Sequence, residues 1–119
     1  MGMIILVCGG RNFKDVDLVF NTLDRALAKY PEMIILTGSC ESGADKFAED
    51  WAKKNEIPYI GVPARWKEYG NPAGPIRNKL MRDKWKPNAC IAFNGGSGTR
   101  GMIDLMREID IEPWIVGCP

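Results

Sequence analysis

Three glycine-containing segments of this 119-residue chain carry the residue types that bind anions. The first is Gly9-Gly10-Arg11, the second runs from Gly38 to Asp45, and the third is Gly95-Gly96-Ser97-Gly98-Thr99. Glycine lets a backbone approach a ligand closely and adopt a positive φ. Where such a turn opens a helix, free N–H groups and the positive end of the helix dipole attract a phosphate or a carboxylate.

Several side chains in or near these segments can assist an anion. Arg11 directly follows two glycines and can present a bidentate guanidinium to a phosphate, the alternative being a solvated turn arginine. Ser97 and Thr99 offer hydroxyls, either to a phosphate or as caps of the next helix. Arg77 falls in the first turn of a predicted helix, from which it can reach the same place. The predicted ligand-binding residues are Gly9, Gly10, Arg11, Gly38, Ser39, Asp45, Arg77, Asn78, Gly95, Gly96, Ser97, Gly98 and Thr99.

Known cofactor and metal motifs do not match these segments. No segment ends in Gly-Lys-Ser/Thr, which excludes a P-loop, and none reads GxGxxG, so NAD binding in its usual mode is not supported. The chain has no histidine, and its four cysteines form no CxxC pair, which excludes the common Cys/His zinc sites. We therefore predict no metal and no resident cofactor. The cysteines, expected to be reduced and mostly buried, are Cys8, Cys40, Cys90 and Cys118.

Short apolar runs alternate with longer amphipathic runs along the chain. The apolar runs have the length of strands, and several are apolar at successive positions, which is typical of strands covered on both faces in a parallel sheet. The predicted strands are Met3–Cys8, Met33–Thr37, Ile57–Val62, Ala89–Phe93 and Glu112–Val116.

Four of the intervening runs have apolar residues at helical spacing. The first follows a predicted N-cap at Asp15. The second follows Ser42 and Asp45, which have the spacing of a capping box. The third is predicted to have Pro75 at its first helical position. The fourth is marked by Met102, Leu105, Met106 and Ile109.

This alternation predicts an α/β fold with right-handed crossovers and helices on both sheet faces. We predict one domain over residues 1–119: a Rossmann-like three-layer sandwich of about five parallel strands, order 3-2-1-4-5, and about four helices. The three glycine segments are strand-to-helix turns, so they should meet at the carboxyl edge of the sheet, where such folds bind ligands. The long segment 63–74 is a candidate lid, with Trp66 or Tyr69 stacking on a base or anchoring its own loop.

Composition and charge narrow the classes of partner. Apolar residues make up 45% and charged residues 26% of the chain, which is ordinary for a soluble globular protein. The net charge of +1 demands no polyanion, so we do not expect a nucleic-acid partner. The apolar run at the N-terminus is too short to span a membrane, and we expect a cytoplasmic protein with no membrane partner.

Four motifs together resemble the YspA-like branch of the SLOG superfamily. They are Gly9-Gly10-Arg11, Gly43-Ala44-Asp45, residues 73–78 (Ala-Gly-Pro-Ile-Arg-Asn) and the segment from Gly95 to Thr99, within a likeness that runs from Ile4 to Val116. The superfamily unites the SMF/DprA proteins with the LOG (lysine decarboxylase-like) phosphoribohydrolases. The resemblance implies a Rossmann-like fold, a nucleotide-type ligand and a phosphate bound by the GGxGT turn.

The likeness to the LOG enzymes is partial. Those enzymes cleave a base from a nucleoside monophosphate and carry a PGGxGTxxE motif and an RxxxM element. Arg77 and Met81 match the second element, but Asn94 replaces the proline and Met102 stands where the catalytic glutamate should be. Methionine can neither stabilise an oxocarbenium-like state nor handle a proton. The simplest role for Met102 is packing.

The sequence therefore favours a module that binds a nucleotide or nucleotide-derived phosphate as a sensor, without turning it over. The alternative is a LOG-like phosphoribohydrolase or a related N-glycosidic nucleotide hydrolase, with Glu41, Asp45 and Arg77 as the catalytic candidates. LOG-type relatives pair through helices next to the site, which makes a homodimer a mild expectation. Met102, Met106 and Trp85 would then lie at such a surface, or else in the core.

Overall fold

The computed structural model describes residues 2–117, and these form five strands and five α-helices. The strands are β1 (Met3–Cys8), β2 (Met33–Thr37), β3 (Tyr59–Gly61), β4 (Ala89–Ala92) and β5 (Trp114–Ile115). The helices are α1 (Val16–Lys29), α2 (Ala44–Lys54), α3 (Trp66–Tyr69), α4 (Ala73–Leu80) and α5 (Ser97–Glu108). Helix α4 continues into a π-helical turn at Met81–Trp85.

The strands form one parallel sheet with the order β3-β2-β1-β4-β5. This confirms the predicted α/β class and strand order. The central strand β1 pairs with β2 from Met3 opposite Met33, and with β4 up to Cys8 opposite Ala92. The chain order reverses at β1 and β4, so the topological switch lies between them, where a Rossmann-like sheet leaves room for a ligand.

The side chains of the central strand alternate between two cores. Ile5 and Val7 belong to a buried cluster shared with α1 and α2, which covers one face of the sheet. Leu6 and Cys8 belong to a second cluster with Met102 of α5, on the opposite face. Successive residues of a strand point to opposite faces, so a continuous apolar run is what a sheet covered on both sides requires.

The predicted N-cap of the first helix is confirmed, whereas the capping box predicted for the second helix is wrong. Asp15 is the N-cap of α1, and its carboxylate accepts a hydrogen bond from the amide of Leu18 at 3.0 Å. Helix α2 instead begins after Gly43, with no side-chain cap. Ser42 donates its hydroxyl to the carbonyl of Arg11 at 3.0 Å, because the adjacent turn offers a tertiary partner.

The third and fourth helices also begin differently from the prediction. Helix α4 starts at Ala73, so Pro75 is its third residue rather than its first. Proline is tolerated there because the amides of a first helical turn have no intrahelical acceptor. Helix α5 starts at Ser97 with Gly96 as its N-cap and no side-chain cap, so neither Ser97 nor Thr99 caps it.

Three strands are shorter than predicted, and the candidate lid is partly helical. Predicted strands 57–62 and 112–116 shorten to the edge strands β3 and β5, which pair on one side only, and predicted strand 89–93 shortens by one residue to β4. The 63–74 segment contains the four-residue helix α3 and the start of α4. Over residues 2–117, no helix combines the length and apolarity needed to cross a bilayer.

Candidate ligand-binding crevice

Backbone hydrogen bonds join the three glycine turns at the carboxyl edge of the sheet. The amide of Gly10 donates to the carbonyl of Asn94 at 2.9 Å, which links the β1–α1 turn to the β4–α5 turn. The amide of Ala44 donates to the carbonyl of Gly10 at 3.3 Å, which links the β2–α2 turn to the same residue. The β1–α1 turn therefore lies between the other two and touches both.

Two glycines make this close approach feasible. Gly43 has a φ of +78°, and a Cβ there would lie 2.8 Å from the Cα of Arg11. A Cβ on Gly95 would lie 2.7 Å from the amide nitrogen of Gly10. Since Cβ atoms do not tolerate such distances to backbone atoms, larger residues would push the turns apart.

Beneath these turns lies a crevice of about 840 Å³. Its size falls within the range of small-molecule sites. Most of the predicted ligand-binding residues line it: Gly9, Gly10, Arg11, Gly38, Asp45, Arg77, Asn78, Gly96, Ser97, Gly98 and Thr99. Ser39, Gly95 and Glu41 do not line it.

The first turn of α5 opens into the crevice. Gly96 is the N-cap and has no side chain to occupy the amides that follow. Within residues 2–117 no hydrogen-bond acceptor is assigned to the amides of Ser97, Gly98 and Thr99. A Cβ on Gly96 or Gly98 would meet nothing within 4 Å, so the approach to these amides is open. Three free N–H groups at the positive end of a helix dipole can coordinate an anion.

Arg11 extends from the β1–α1 turn toward the helix that follows β3. Its guanidinium carbon lies 5.2 Å from the ring centroid of Trp66, a distance typical of a cation–π contact. Trp66 is 45% exposed and lines the same crevice, whereas Tyr69 does not line it. Arg11 and Trp66 thus form one wall of the crevice and leave the guanidinium without a carboxylate partner among residues 2–117.

Arg77 is more constrained than the sequence indicated. Its Nη1 donates to the carbonyl of Gly38 at 2.6 Å and to that of Val62 at 3.4 Å. Its Nε donates to the Oδ1 of Asn78 at 2.8 Å. Arg77 therefore ties α4 to the ends of β2 and β3 and supplies positive charge to the crevice mainly through its field.

Asn78 connects this cluster to the first turn of α5. Its Nδ2 contacts the carbonyl of Gly98 at 3.5 Å, at the limit of a hydrogen bond. Through Asn78, the position of the α5 first turn depends on α4 as well as on its own loop. The RxxxM element, which Arg77 and Met81 match, does not predict this contact of Asn78, because the contact joins residues of two different helices.

Asp45 is a buried carboxylate in the wall of the crevice. It is 5% exposed, and its Oδ2 accepts only a long hydrogen bond of 3.4 Å from the amide of Cys40. Burial raises the pKa of Asp45, while the Cys40 amide and the positive charge of Arg77 act against that rise. The Cys40 thiol lies beside this carboxylate, and burial together with the negative charge of Asp45 raises its pKa. Cys40 is therefore a poor nucleophile in this position.

A hydrogen-bonded network behind the β2–α2 turn was not expected from the sequence. Glu49 of α2 accepts the hydroxyls of Thr37 at 2.6 Å and Ser39 at 2.7 Å. Ser39 has a positive φ of 53°, which is uncommon for a residue other than glycine. These two hydrogen bonds fix the conformation of the turn, so Ser39 supports the crevice without lining it. The sequence signal that could have identified Glu49 is its position one helical turn after Asp45.

Met102 and Met106 are buried at 1% and 0% exposure, so they belong to the core rather than to a free surface. Trp85 is half-buried and packs on the same cluster. Glu41 is exposed at the rim. Among the described cysteines, Cys8 and Cys90 are buried free thiols and Cys40 is half-buried, whereas Cys118 lies outside the described residues. Residues 2–117 contain no cluster of side chains suited to a metal ion.

Two solved structures share this fold. One is the Moco carrier protein from Chlamydomonas reinhardtii, with a TM-score of 0.66, 17% identity and coverage of 98% of this chain and 77% of that one. The other is the molybdenum cofactor binding protein from Rippkaea orientalis, with a TM-score of 0.70, 22% identity and coverage of 95% and 75%. At these identities the likeness establishes the fold.

Sequence comparison identifies the family. The chain is 29% identical over 109 residues to the Gene 61 protein of Mycobacterium phage D29, covering 87% of this chain and 86% of that protein. The model of the YspA, cpYpsA-related SLOG family matches residues 3–69, which include β1, the first two glycine turns and Asp45. The chain therefore belongs to the YspA, cpYpsA-related SLOG family, as its motifs predicted.

Proposed function

We propose that this protein binds a small phosphorylated ligand, a nucleotide or nucleotide derivative, in the crevice at the carboxyl edge of its sheet. The observation that carries the proposal is the open first turn of α5. Its amides have no acceptor among residues 2–117, and the glycines around them leave the approach clear. A phosphate at that position would satisfy these amides and interact favourably with the helix dipole.

The charges around the turn favour the same ligand. Arg11 has no carboxylate partner among the described residues and borders the crevice, and Arg77 adds a second positive charge nearby. Trp66 also lines the crevice and is 45% exposed, so we infer that its ring can stack on a base or another planar group. We place the phosphate at α5 and the planar group toward Trp66.

Binding without turnover fits the residues better than hydrolysis does. At the position of the LOG glutamate, Met102 is 1% exposed and supplies no carboxylate. Glu41 is exposed and does not line the crevice, which leaves Asp45 as the one carboxylate candidate for catalysis that does. The proposed role is therefore a module that senses or carries its ligand.

The test is a titration with a panel of nucleoside phosphates on the wild-type chain and on two variants at the exposed Ser97, namely Ser97→Asn and Ser97→Asp. The two new side chains have the same shape, and they differ in that Ser97→Asp adds one negative charge. Ser97→Asn should bind within about threefold of wild type. Ser97→Asp should weaken binding by about tenfold or more, because about 1.4 kcal/mol of repulsion is a tenfold loss. Equal affinities in the two variants, or no binding by any nucleotide, would exclude an anion at this turn.

The two structural neighbours suggest a second candidate ligand, because one is a Moco carrier protein and the other a molybdenum cofactor binding protein. The molybdenum content of the protein, purified from a host supplied with molybdate, distinguishes the candidates. A stoichiometric molybdenum signal that Ser97→Asp abolishes would favour the cofactor. A molybdenum-free protein that binds nucleotides would favour the first proposal.

A further inference from the structure

One half of the sheet has no helix of its own on the face that α1 and α2 cover. Helix α1 connects β1 to β2 and α2 connects β2 to β3, and both pack on the same face. Helix α5 connects β4 to β5 and packs on the opposite face through Met102 and Met106. Right-handed crossovers produce this division. Within residues 2–117, the β4–β5 half of the α1/α2 face is therefore bordered by α1 and has no helix above it.

A cavity of about 420 Å³ lies at this place, between α1 and the last two strands. Ile5 and Ile91 of the sheet and Ala26 of α1 line it, and because all three are buried, the cavity extends down to the core. It shares no lining residue with the crevice at the carboxyl edge. Its size falls within the range of small-molecule sites.

Two cations border this second cavity on its α1 side. Arg25 and Lys29 are about one helical turn apart, so they lie on the same face of α1. Both residues are exposed, and neither forms a salt bridge among residues 2–117. Glu112 also lines the cavity, but its carboxylate is paired with Arg107 at 2.9 Å. The rim of the cavity therefore has an uncompensated positive charge.

Each cation lies over an aromatic ring that lines the same cavity. The guanidinium carbon of Arg25 is 5.1 Å from the ring centroid of Trp114, and Nζ of Lys29 is 5.3 Å from that of Tyr30. Trp114 is 39% exposed, so part of its ring remains available to a planar group. A guanidinium in a cation–π contact can still donate two hydrogen bonds to a carboxylate.

We propose that this cavity is a second binding site, which accepts a planar aromatic carboxylate. Arg25 pairs with the carboxylate, Lys29 adds to the positive charge, and the aromatic ring lies in the apolar cavity beside Trp114. An apolar lining with a few charged groups at one side is typical of small-molecule sites. The site does not depend on the proposed phosphate binding, since its lining residues are different and it lies on a face of the sheet rather than at the carboxyl edge.

The test compares three probes by titration on the ¹⁵N-labelled full chain. The probe 2-naphthoate has a ring and a carboxylate, 2-naphthalenemethanol has the same ring without the charge, and acetate has the charge without the ring. 2-Naphthoate should shift the amide resonances of Ala89, Ile91 and Trp114, which line the cavity, in a saturable manner. It should bind about tenfold or more tightly than either other probe, because it alone uses both the cations and the apolar lining.

Variants at the exposed Arg25 and Trp114 identify the groups that bind. Arg25→Ala should weaken binding of 2-naphthoate by about tenfold or more, because the carboxylate loses its hydrogen-bonding partner. Trp114→Leu keeps an apolar side chain but removes the flat ring, and it should also weaken binding. Arg100→Ala is the matched control, since it removes an exposed arginine that lines neither cavity, and it should preserve the affinity. Unfolding curves verify that each variant is folded.

Three results would overturn the second site and leave the proposed function standing. They are the absence of saturable shifts at Ala89, Ile91 and Trp114, equal affinities for 2-naphthoate and 2-naphthalenemethanol, and an unchanged affinity in Arg25→Ala. Shifts confined to the amides of the α5 first turn would show that the probe binds in the crevice instead. Nucleotide binding that fails while 2-naphthoate binds as expected would overturn the proposed function and leave the second site standing.

Discussion

Replacing Gly43 with alanine tests whether the β1–α1 and β2–α2 turns are in contact. Gly43 has φ +78° and ψ −154°, a region of backbone conformation that is essentially restricted to glycine. A Cβ there would also meet the Gly10 carbonyl and lie 2.8 Å from the Cα of Arg11. The substitution therefore costs both backbone strain and a collision with neighbouring backbone, which cannot move as a side chain does.

Gly70 separates these two effects. It has φ +66° and ψ −142°, nearly the same conformation, but a Cβ there would meet nothing within 4 Å. Strain of this kind costs about 1–3 kcal/mol. Overpacking adds about 1–3 kcal/mol. We expect the free energy of unfolding to fall by about 1–3 kcal/mol in Gly70→Ala and by about 2–6 kcal/mol in Gly43→Ala.

The assay is denaturation by urea, with the free energy of unfolding extrapolated to water and the slope compared with wild type. The expected loss in Gly43→Ala is a large fraction of the 5–15 kcal/mol typical of a folded domain. Gly43→Ala should also weaken ligand binding, because the turns that border the crevice must separate. Equal losses of stability in the two variants would refute the contact between the turns.

Three further substitutions test the energetics around the crevice. Burial raises the folded-state pKa of Asp45, so ionisation of this carboxyl opposes folding. The free energy of unfolding of the wild type should therefore fall as the pH rises from the unfolded-state pKa of Asp45 to its folded-state pKa. Asp45→Asn has no carboxyl to ionise and should not show this loss. In denaturation curves, Asp45→Asn should exceed wild type at neutral pH, and the gap should close below the unfolded pKa; a gap independent of pH would contradict this. Asp15→Ala should lower the free energy of unfolding by about 0.5–2 kcal/mol by removing the cap on Leu18, and no loss would mean that the cap is not formed. Gly101→Ala should raise it by up to about 1 kcal/mol, since a Cβ inside α5 would meet nothing within 4 Å, and a loss would show crowding there.

The parts of the fold that the sequence predicted are those determined by local pattern. β1 and β2 have the predicted bounds because both are central strands whose apolar runs are covered on both faces. β5 shrinks to Trp114–Ile115 because an edge strand pairs with one neighbour only, and its apolar run extends past that pairing. The convergence of the glycine turns followed from topology, since strand-to-helix turns of a parallel sheet share one edge.

The features that sequence reasoning missed depend on contacts between distant residues. Arg77 bonds the carbonyl of Gly38 across 39 residues, so its tie to the backbone has no local signature. Ser42 does not cap α2, because Gly43 is the N-cap, and its hydroxyl donates instead to the carbonyl of Arg11, 31 residues away. The burial of Asp45, which is 5% exposed, likewise has no signature in the local sequence. Residue type predicted which groups could bind, and tertiary packing decided which remained available.

The central claim is that the first turn of α5 holds a negatively charged group, and a titration followed by amide NMR tests it most directly. Inorganic phosphate added to ¹⁵N-labelled protein should shift the amide resonances of Gly96, Ser97, Gly98 and Thr99 in a saturable manner. The amide of Gly70, outside the crevice lining, should not move with them. Absent or non-saturable shifts at α5, or saturable shifts confined to another part of the chain, would contradict the account.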